Sequence, residues 1–167
     1  VVIDAGGITA NDLTFSVAGY TVEGGTLTLN GATNVITATP NSNNVATISA
    51  ALAGTAGFTK AGSGTLTVNG TNTGLSGTIN VNNVTGTNNG GLVLSGANTF
   101  TGGVTLTLGT LNINNASALG NGGTFLISAG TINNSSGAAI TNSNVNALTI
   151  DGNFTFTGSN ALDLGTG

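Results

Sequence analysis

Residues 64–70 read Gly-Thr-Leu-Thr-Val-Asn-Gly, a stretch in which apolar side chains alternate with threonine between two glycines. Similar units recur at residues 24–31 and 152–158, and at residues 90–96, where Val93 stands between two leucines in place of threonine. Alternation with a period of two is typical of a β-strand with one buried and one solvated face. The flanking Gly and Asn residues are typical of tight corners. We therefore predict an all-β protein built from a repeated unit of strand and corner.

The spacing of the four units predicts how the strands are arranged. Their closing glycines lie 39, 26 and 62 residues apart, which fits one or more turns of roughly 20–30 residues each. Stackable aliphatic side chains, and many asparagines able to form amide ladders at corners, favour a solenoid. We predict a right-handed parallel β-helix of roughly seven or eight turns over residues 1–167, on the order of 35 Å long. A β-sandwich fits the same strands and is the alternative.

The composition excludes several kinds of chemistry. Gly, Thr and Asn supply 29, 30 and 25 of the 167 residues, and only six side chains are charged, for a net charge of −4. A hydrophobic content of 38% argues against disorder, because disordered chains combine low hydrophobicity with high net charge. Without His or Cys there is no Ser-His-Asp triad, no disulfide and no nitrogen or sulfur metal site. With Lys60 as the only cation, nucleic acid is not an expected partner.

Residues 90–123 carry a recognisable pattern. Leu-Val-Leu-Ser-Gly-Ala-Asn-Thr-Phe-Thr-Gly-Gly at 92–103 is followed by Gly-Thr-Leu-Asn-Ile at 109–113 and Ala-Leu-Gly at 118–120. This region closely resembles the autotransporter-associated β-strand repeat, also called the passenger-associated transport repeat, with Phe100 in place of the usual Tyr. A weaker resemblance covers residues 44–85, including Gly-Phe-Thr-Lys-Ala-Gly-Ser-Gly-Thr-Leu at 57–66.

The resemblance implies a passenger of a type V secretion system, folded as a right-handed parallel β-helix. Such repeats form stalks or fibres on the surface of Gram-negative-type bacteria, often within adhesins. An outer-membrane translocator is the partner that the resemblance implies. No apolar run approaches the roughly 18–20 residues of a membrane span, so we expect no span in this segment.

The acidic residues are the candidates for catalysis, because parallel β-helices include polysaccharide-processing enzymes. Such enzymes need two or three clustered carboxylates. Asp4 and Asp12 could meet across a corner, Asp151 and Asp163 could lie on neighbouring rungs, and Glu23 stands apart. We interpret all five as solvated corner residues, and Asp151-Gly152-Asn153 as a corner rather than a calcium site. The prediction is a protein with no catalytic residue, no metal site and no cofactor.

Threonine pairs suggest an alternative function, an ice- or surface-binding solenoid. Stacked in one flat array, such pairs would order water. Their spacing is uneven, and alternation with leucine explains them, so we rank this function second. The pairs are Thr26/Thr28, Thr37/Thr39, Thr65/Thr67, Thr71/Thr73, Thr105/Thr107 and Thr155/Thr157.

Further expectations concern two segments and the ends of the chain. Residues 48–56 are a weak helix candidate, and residues 133–146 are the one insertion long enough for an adhesive loop. Both ends of the chain read as interior turns, so we expect flanking turns of a parent chain, or other copies, to stack on them.

The period-two pattern also predicts which residues form the core. The residues predicted to point inward are Leu27, Leu29, Leu66, Val68, Leu92, Leu94, Leu106, Leu108, Leu111, Ile113, Phe154 and Phe156.

Overall fold

The computed structural model describes residues 1–39, 45–83 and 90–165, which form strands and corners with no helix. Every strand pairing among them is parallel, and the strands stack as a β-solenoid of about seven turns, as predicted. In chain order the strands are β1 (Val2–Ile3), β2 (Ile8–Ala10), β3 (Leu13–Phe15), β4 (Thr21–Gly24), β5 (Thr26–Leu29), β6 (Val35–Ala38), β7 (Val45–Ile48), β8 (Ala51–Gly54), β9 (Phe58–Ala61), β10 (Thr65–Val68), β11 (Gly74–Leu75), β12 (Ile79–Asn82), β13 (Gly91–Leu94), β14 (Val104–Leu108), β15 (Thr110–Ile113), β16 (Thr124–Ile127), β17 (Thr131–Asn133), β18 (Ile140–Thr141), β19 (Ala147–Ile150), β20 (Thr155–Phe156) and β21 (Leu162–Asp163).

The strands form three faces that the chain visits in a fixed order, although the turns of β13/β14 and β15/β16 have no strand on the second face. The first face is an eight-stranded sheet of β1, β4, β7, β10, β13, β15, β17 and β20. The second face holds the sheet β2, β5, β8 and β11 and, later in the chain, the pair β18 and β21. The third face is a seven-stranded sheet of β3, β6, β9, β12, β14, β16 and β19. The segments between faces are called corners below.

Strand partners set the length of each turn. Paired residues lie between 19 residues apart, as for Gly91 and Thr110, and 26 residues apart, as for Leu66 and Leu92. The units at 64–70, 90–96 and 152–158 all contribute strands to the first face, as a simple repeat requires. The unit at 24–31 does not, because its strand β5 belongs to the second face. Similar local sequence therefore serves two different faces.

Inward side chains form continuous columns through the solenoid. On the first face Ala46, Leu66, Leu92, Leu111 and Ile132 each pair with the next residue of the column, and all are buried. A second column runs alongside it, and similar columns line the third face. One contiguous apolar cluster results, which extends from Ile3 in the first turn to Ile132 in the seventh.

Most of the predicted core is confirmed. Leu106 is fully buried, whereas Thr105 is half-buried and Thr107 is exposed. These exposures confirm the predicted alternation of inward and outward residues around Leu106. The confirmed residues are Leu27, Leu29, Leu66, Val68, Leu92, Leu94, Leu106, Leu111 and Ile113.

Three residues predicted to belong to the core are not buried, for two physical reasons. Leu108 is only half-buried, because the register between β12 and β14 shifts and aligns it with the exposed Asn82. An irregularity of this kind reverses the inward and outward positions that follow it. Phe156 keeps the predicted inward register, since it pairs with the buried Ile132, but it is 47% exposed because β20 is the last strand of the first face and no described strand covers it. Phe154 lies in the corner before β20 and is 39% exposed.

Two further predictions concern local structure. The weak helix candidate at residues 48–56 is instead strand, with Ala51–Gly54 forming β8 between β5 and β11. Of the weaker repeat match, residues 44, 84 and 85 lie outside the described residues; residues 45–83 supply β7 to β12.

Asparagine ladders occur at the corners, as predicted. Asn72 and Asn98 are both buried in the corner that follows the first face, one turn apart. The Asn72 Nδ2 donates to Asn98 Oδ1 at 2.9 Å, and the Asn98 Nδ2 donates to the Ala118 carbonyl in the next turn at 2.9 Å. The backbone N–H of Leu52, in the turn before, donates to Asn72 Oδ1 at 2.7 Å. These amides bond backbone groups that the corner leaves without strand partners.

Glycines stack at the corner between the second and third faces. Gly57, Gly77, Gly102 and Gly123 occupy this corner in successive turns. A Cβ added to Gly102 would lie 2.6 Å from the Ser76 carbonyl oxygen, which is closer than real Cβ atoms approach. The corner backbones can therefore stack at strand spacing only when no side chain separates them.

Replacing Leu106 by Ala should lower the free energy of unfolding by roughly 2–5 kcal/mol, because a buried leucine leaves a cavity that the rigid turns cannot close. The matched control is Leu126→Ala, since Leu126 is half-buried and its neighbours Thr105 and Thr149 face outward. Chemical denaturation of both variants measures the difference. Equal losses would contradict the assigned register.

Replacing Gly102 by Ala should lower the free energy of unfolding by about 1–3 kcal/mol, as expected for overpacking. Gly6→Ala is the control, because a Cβ at Gly6 meets nothing within 4 Å. That variant should change stability by no more than about 0.5 kcal/mol. Thermal unfolding followed by circular dichroism measures both, and a neutral Gly102→Ala would show that the corner is not tightly stacked.

Candidate functional surfaces and a buried lysine

The five carboxylates lie at the outside of the solenoid. Asp4 precedes β2 and Asp12 follows it, so they occupy two different corners of the first turn. The Asp12 Oδ1 accepts a hydrogen bond from the Val35 N–H at 2.7 Å. Asp151 follows β19 on the third face, whereas Asp163 lies in β21 on the second. The arrangement does not place either predicted pair on one face.

The remaining acidic positions are also in exposed settings. Glu23 and Asp163 are exposed as predicted, but they lie within strands β4 and β21, so their assignment to corners is wrong. Asp151-Gly152-Asn153 is the corner between β19 and β20, as predicted. Among the described residues no three Asp, Glu, His or Cys side chains gather in a way that could hold a metal ion.

A shallow depression of about 270 Å³ lies at the first turn, lined by Val1, Thr14, Phe15, Ser16, Val17 and Tyr20. The Val1 amine at its rim donates to the Thr21 carbonyl at 2.6 Å. The Tyr20 phenol is the one titratable side chain among these lining residues. A lone phenol without a neighbouring acid or base does not make a catalytic pair.

Lys60, the only cationic side chain in the sequence, lies inside the core. Its position in β9 pairs with Ile36 in the turn before and Val81 in the turn after, so it belongs to an inward column. Lys60 is fully buried. Its Nζ donates to the Gly62 carbonyl at 2.8 Å and to Asn83 Oδ1 at 2.8 Å.

The local sequence explains how an ammonium group is held there. Gly62 has φ +79°, and the chain turns at this point so that its carbonyl faces back toward Nζ. Asn83 is buried at the end of β12, and its Nδ2 donates to the Gly90 carbonyl. Lys60 thus links two successive turns through neutral oxygen acceptors. No counter-ion is provided, because the five acidic residues are all exposed.

Burial lowers the pKa of Lys60 from 10.5 to about 8. Desolvation is the cause, since it disfavours the charged form of a lysine. Lys60 was not among the residues predicted to point inward. The signal was available, because Phe58 and Lys60 are two positions apart in a strand, and side chains two apart point to the same side.

The segment at residues 133–146 does not form the predicted adhesive loop. Asn134, Asn142 and Asn146 are buried within it, and Ile140–Thr141 forms β18. The Asn146 Nδ2 donates to the carbonyl groups of Leu119 and Gly122 in the preceding turn, at 3.1 and 2.7 Å. The segment is part of a turn of ordinary length; its longest exposed stretch is residues 135–139, and Thr141, Ser143 and Val145 are exposed between buried or half-buried neighbours.

The threonine pairs do not share one face. Two lie on the first face, one on the second, two on the third and one in a corner. In that order they are Thr65/Thr67 and Thr155/Thr157; Thr26/Thr28; Thr37/Thr39 and Thr105/Thr107; and Thr71/Thr73.

The last described turn leaves inward side chains uncovered. Leu148 and Ile150 pair with the buried Phe125 and Ile127, yet they are 41% and 52% exposed. Phe156 likewise pairs with the buried Ile132. These side chains occupy core columns at a level where no described strand lies beyond them.

Together these features define a parallel β-solenoid with a continuous apolar interior and a weakly charged exterior. Comparisons of the chain with known protein families, with curated proteins and with solved structures found no match. The resemblance of residues 90–123 to the autotransporter repeat therefore stays a prediction from the sequence. The described residues contain no helix long and apolar enough to cross a membrane.

Stability should rise with pH because of Lys60. The folded state has the lower pKa, so between about pH 8 and 10.5 the unfolded chain binds more protons and the free energy of unfolding increases with pH. Below about pH 8 the folded state carries the full free-energy cost of burying a protonated Lys60. Urea denaturation at pH 7, 8, 9 and 10 measures the slope.

The matched control is Lys60→Met, which keeps the length of the side chain and removes the titrating group. The Val1 amine and Tyr20 remain in both proteins, so the difference between the two slopes belongs to Lys60. Identical slopes would contradict the buried position of the ammonium group.

Proposed function

We propose that this chain is a non-enzymatic, extracellular structural segment, a β-solenoid stalk or fibre-forming passenger at a bacterial cell surface. The observation that carries the proposal is the parallel stacking of about seven turns around one continuous apolar core. Leu148, Ile150 and Phe156 continue buried columns and are themselves exposed. Exposed apolar core positions beside unpaired strand edges favour the addition of another strand layer.

The interior of the solenoid supports a mechanical role. Each turn adds the same strand spacing, about 4.8 Å, so the length of such a protein grows with the number of turns. The core columns are aliphatic or aromatic with the exception of Lys60, and the five carboxylates are exposed and separated from one another along the solenoid. A long, rigid and chemically simple body suits a spacer between a surface and a more distal domain.

The cellular setting rests on the resemblance of residues 90–123 to the passenger repeat. On that basis the segment is exported by an outer-membrane translocator and displayed by a Gram-negative-type bacterium, as part of an adhesin. Its partners are flanking turns of a parent chain, or other copies stacked end to end. The buried asparagines of residues 133–146 favour the stalk over a receptor-binding tip, since that segment contributes to the rod.

Small-angle scattering of the purified chain at several concentrations tests the stacking. We expect the particle to lengthen with concentration while its cross-section stays constant. The variant Phe156→Asp, which places a charge on the uncovered column, should stay short. A single short species at every concentration would contradict the proposal.

The matched control is Val45→Asp. Val45 is 41% exposed, similar to Phe156, but it points outward from the first face. This variant should lengthen like the unaltered protein. If both variants block lengthening equally, the association occurs through the sides of the solenoid and not through its end.

A further inference from the structure

The outer surface of the first face carries threonines stacked directly on one another. One outward column consists of Val45, Thr65, Gly91, Thr110, Thr131 and Thr155. The column beside it consists of Thr21, Thr47, Thr67, Val93, Asn112 and Asn133. Each column contains a run of three threonines on adjacent strands. Thr65 and Thr67 join the two columns within one strand.

The third face offers a comparison within the same molecule. Its outward column consists of Val35, Thr59, Asn80, Thr105, Leu126 and Thr149. No two threonines in this column occupy adjacent strands. In the other outward column of the third face, Thr14 stacks on Thr37, which is followed by Ala61. Among the described pairings of these two faces, runs of three stacked threonines therefore occur on the first face alone.

The geometry of the first face is that of a regular grid. Neighbouring parallel strands lie about 4.8 Å apart, and side chains two positions apart along a strand lie about 6.6 Å apart. Threonine has few side-chain rotamers because it is branched at Cβ, so its hydroxyl and methyl groups are held in place. Groups that are already ordered lose little entropy when a rigid partner binds them.

The absence of charged side chains from the two columns argues against several kinds of binding partner for this grid. Neither column contains a charged residue, and the nearest one in sequence, the exposed Glu23, lies two positions beyond Thr21 in β4. Polyanions and charged protein surfaces would find no complementary group. A flat lattice of water molecules matches a grid of fixed hydroxyl and methyl groups without needing charge.

We propose that the outward threonine columns of the first face bind ice. The threonine and asparagine side chains would hold surface water in positions that join the ice lattice, and the methyl groups would fill the gaps between those waters. This function does not depend on the stalk proposal, because it uses the side of the solenoid and the stalk uses its end.

The test is thermal hysteresis of the purified chain, with partitioning into a slowly grown ice hemisphere as a second readout. We expect hysteresis that increases with concentration and enrichment of the protein in ice. Thr131→Tyr, in the middle of a threonine run, should lose most of both. Thr110→Tyr is a second variant of the same run, should Thr131→Tyr fail to fold.

The control is Thr105→Tyr, the same change on the outward column of the third face, which should retain full activity. Circular dichroism spectra and melting temperatures establish that all variants are folded. No hysteresis in the unaltered protein, or equal loss in the Thr131 and Thr105 variants, overturns the inference. Lateral dimers disrupted by Thr131→Tyr, without any ice binding, would also overturn it, because the face would then bind a second copy.

Discussion

Parallel strand stacking is the constraint on which the rest of the structure depends. The backbone groups of each strand are bonded to the turns before and after it, so every inward side chain sits at strand spacing from its counterparts. Such a column accepts only side chains that can stack or that find polar partners nearby. Leucine, valine and isoleucine meet the first condition along most of the interior. The second condition explains the buried asparagines and Lys60, each of which bonds oxygen or nitrogen atoms of the neighbouring turns.

The corners satisfy the same constraint by a different means. Where strands end, the backbone loses its regular partners, and the amides of Asn72 and Asn98 bond groups of the turns before and after them. Where two corners approach even more closely, as at Gly77 and Gly102, the absence of a side chain allows the backbones to meet. The high content of Asn and Gly is therefore a consequence of stacking seven turns and does not indicate disorder.

The sequence was sufficient to predict the strands, the solenoid and the inward register of residues such as Leu66, Leu92 and Leu106, because alternation and glycine corners are local signals. Three features depend on contacts between turns and could not be read locally. The register shift opposite Asn82 turned Leu108 outward, and β5 proved to belong to the second face although its sequence matches β10. The exposure of Phe156 depends on what lies beyond it. Lys60 was not predicted to point inward, although it lies two positions from the apolar Phe58 and side chains two apart in a strand point to the same side.

The division between interior and exterior explains why function should be sought on the outward columns. An inward substitution disturbs the stacking of two neighbouring turns. Few inward positions can therefore accept a catalytic or binding side chain without loss of stability. An outward position contacts only its column neighbours, and there the faces differ although the core beneath them is alike. The first face carries runs of three stacked threonines, whereas on the third face Asn80, Leu126 and Ala61 interrupt the threonines after two at most. Since strand formation alone would be served equally well by both patterns, the difference between the faces is the part of this sequence that folding does not explain.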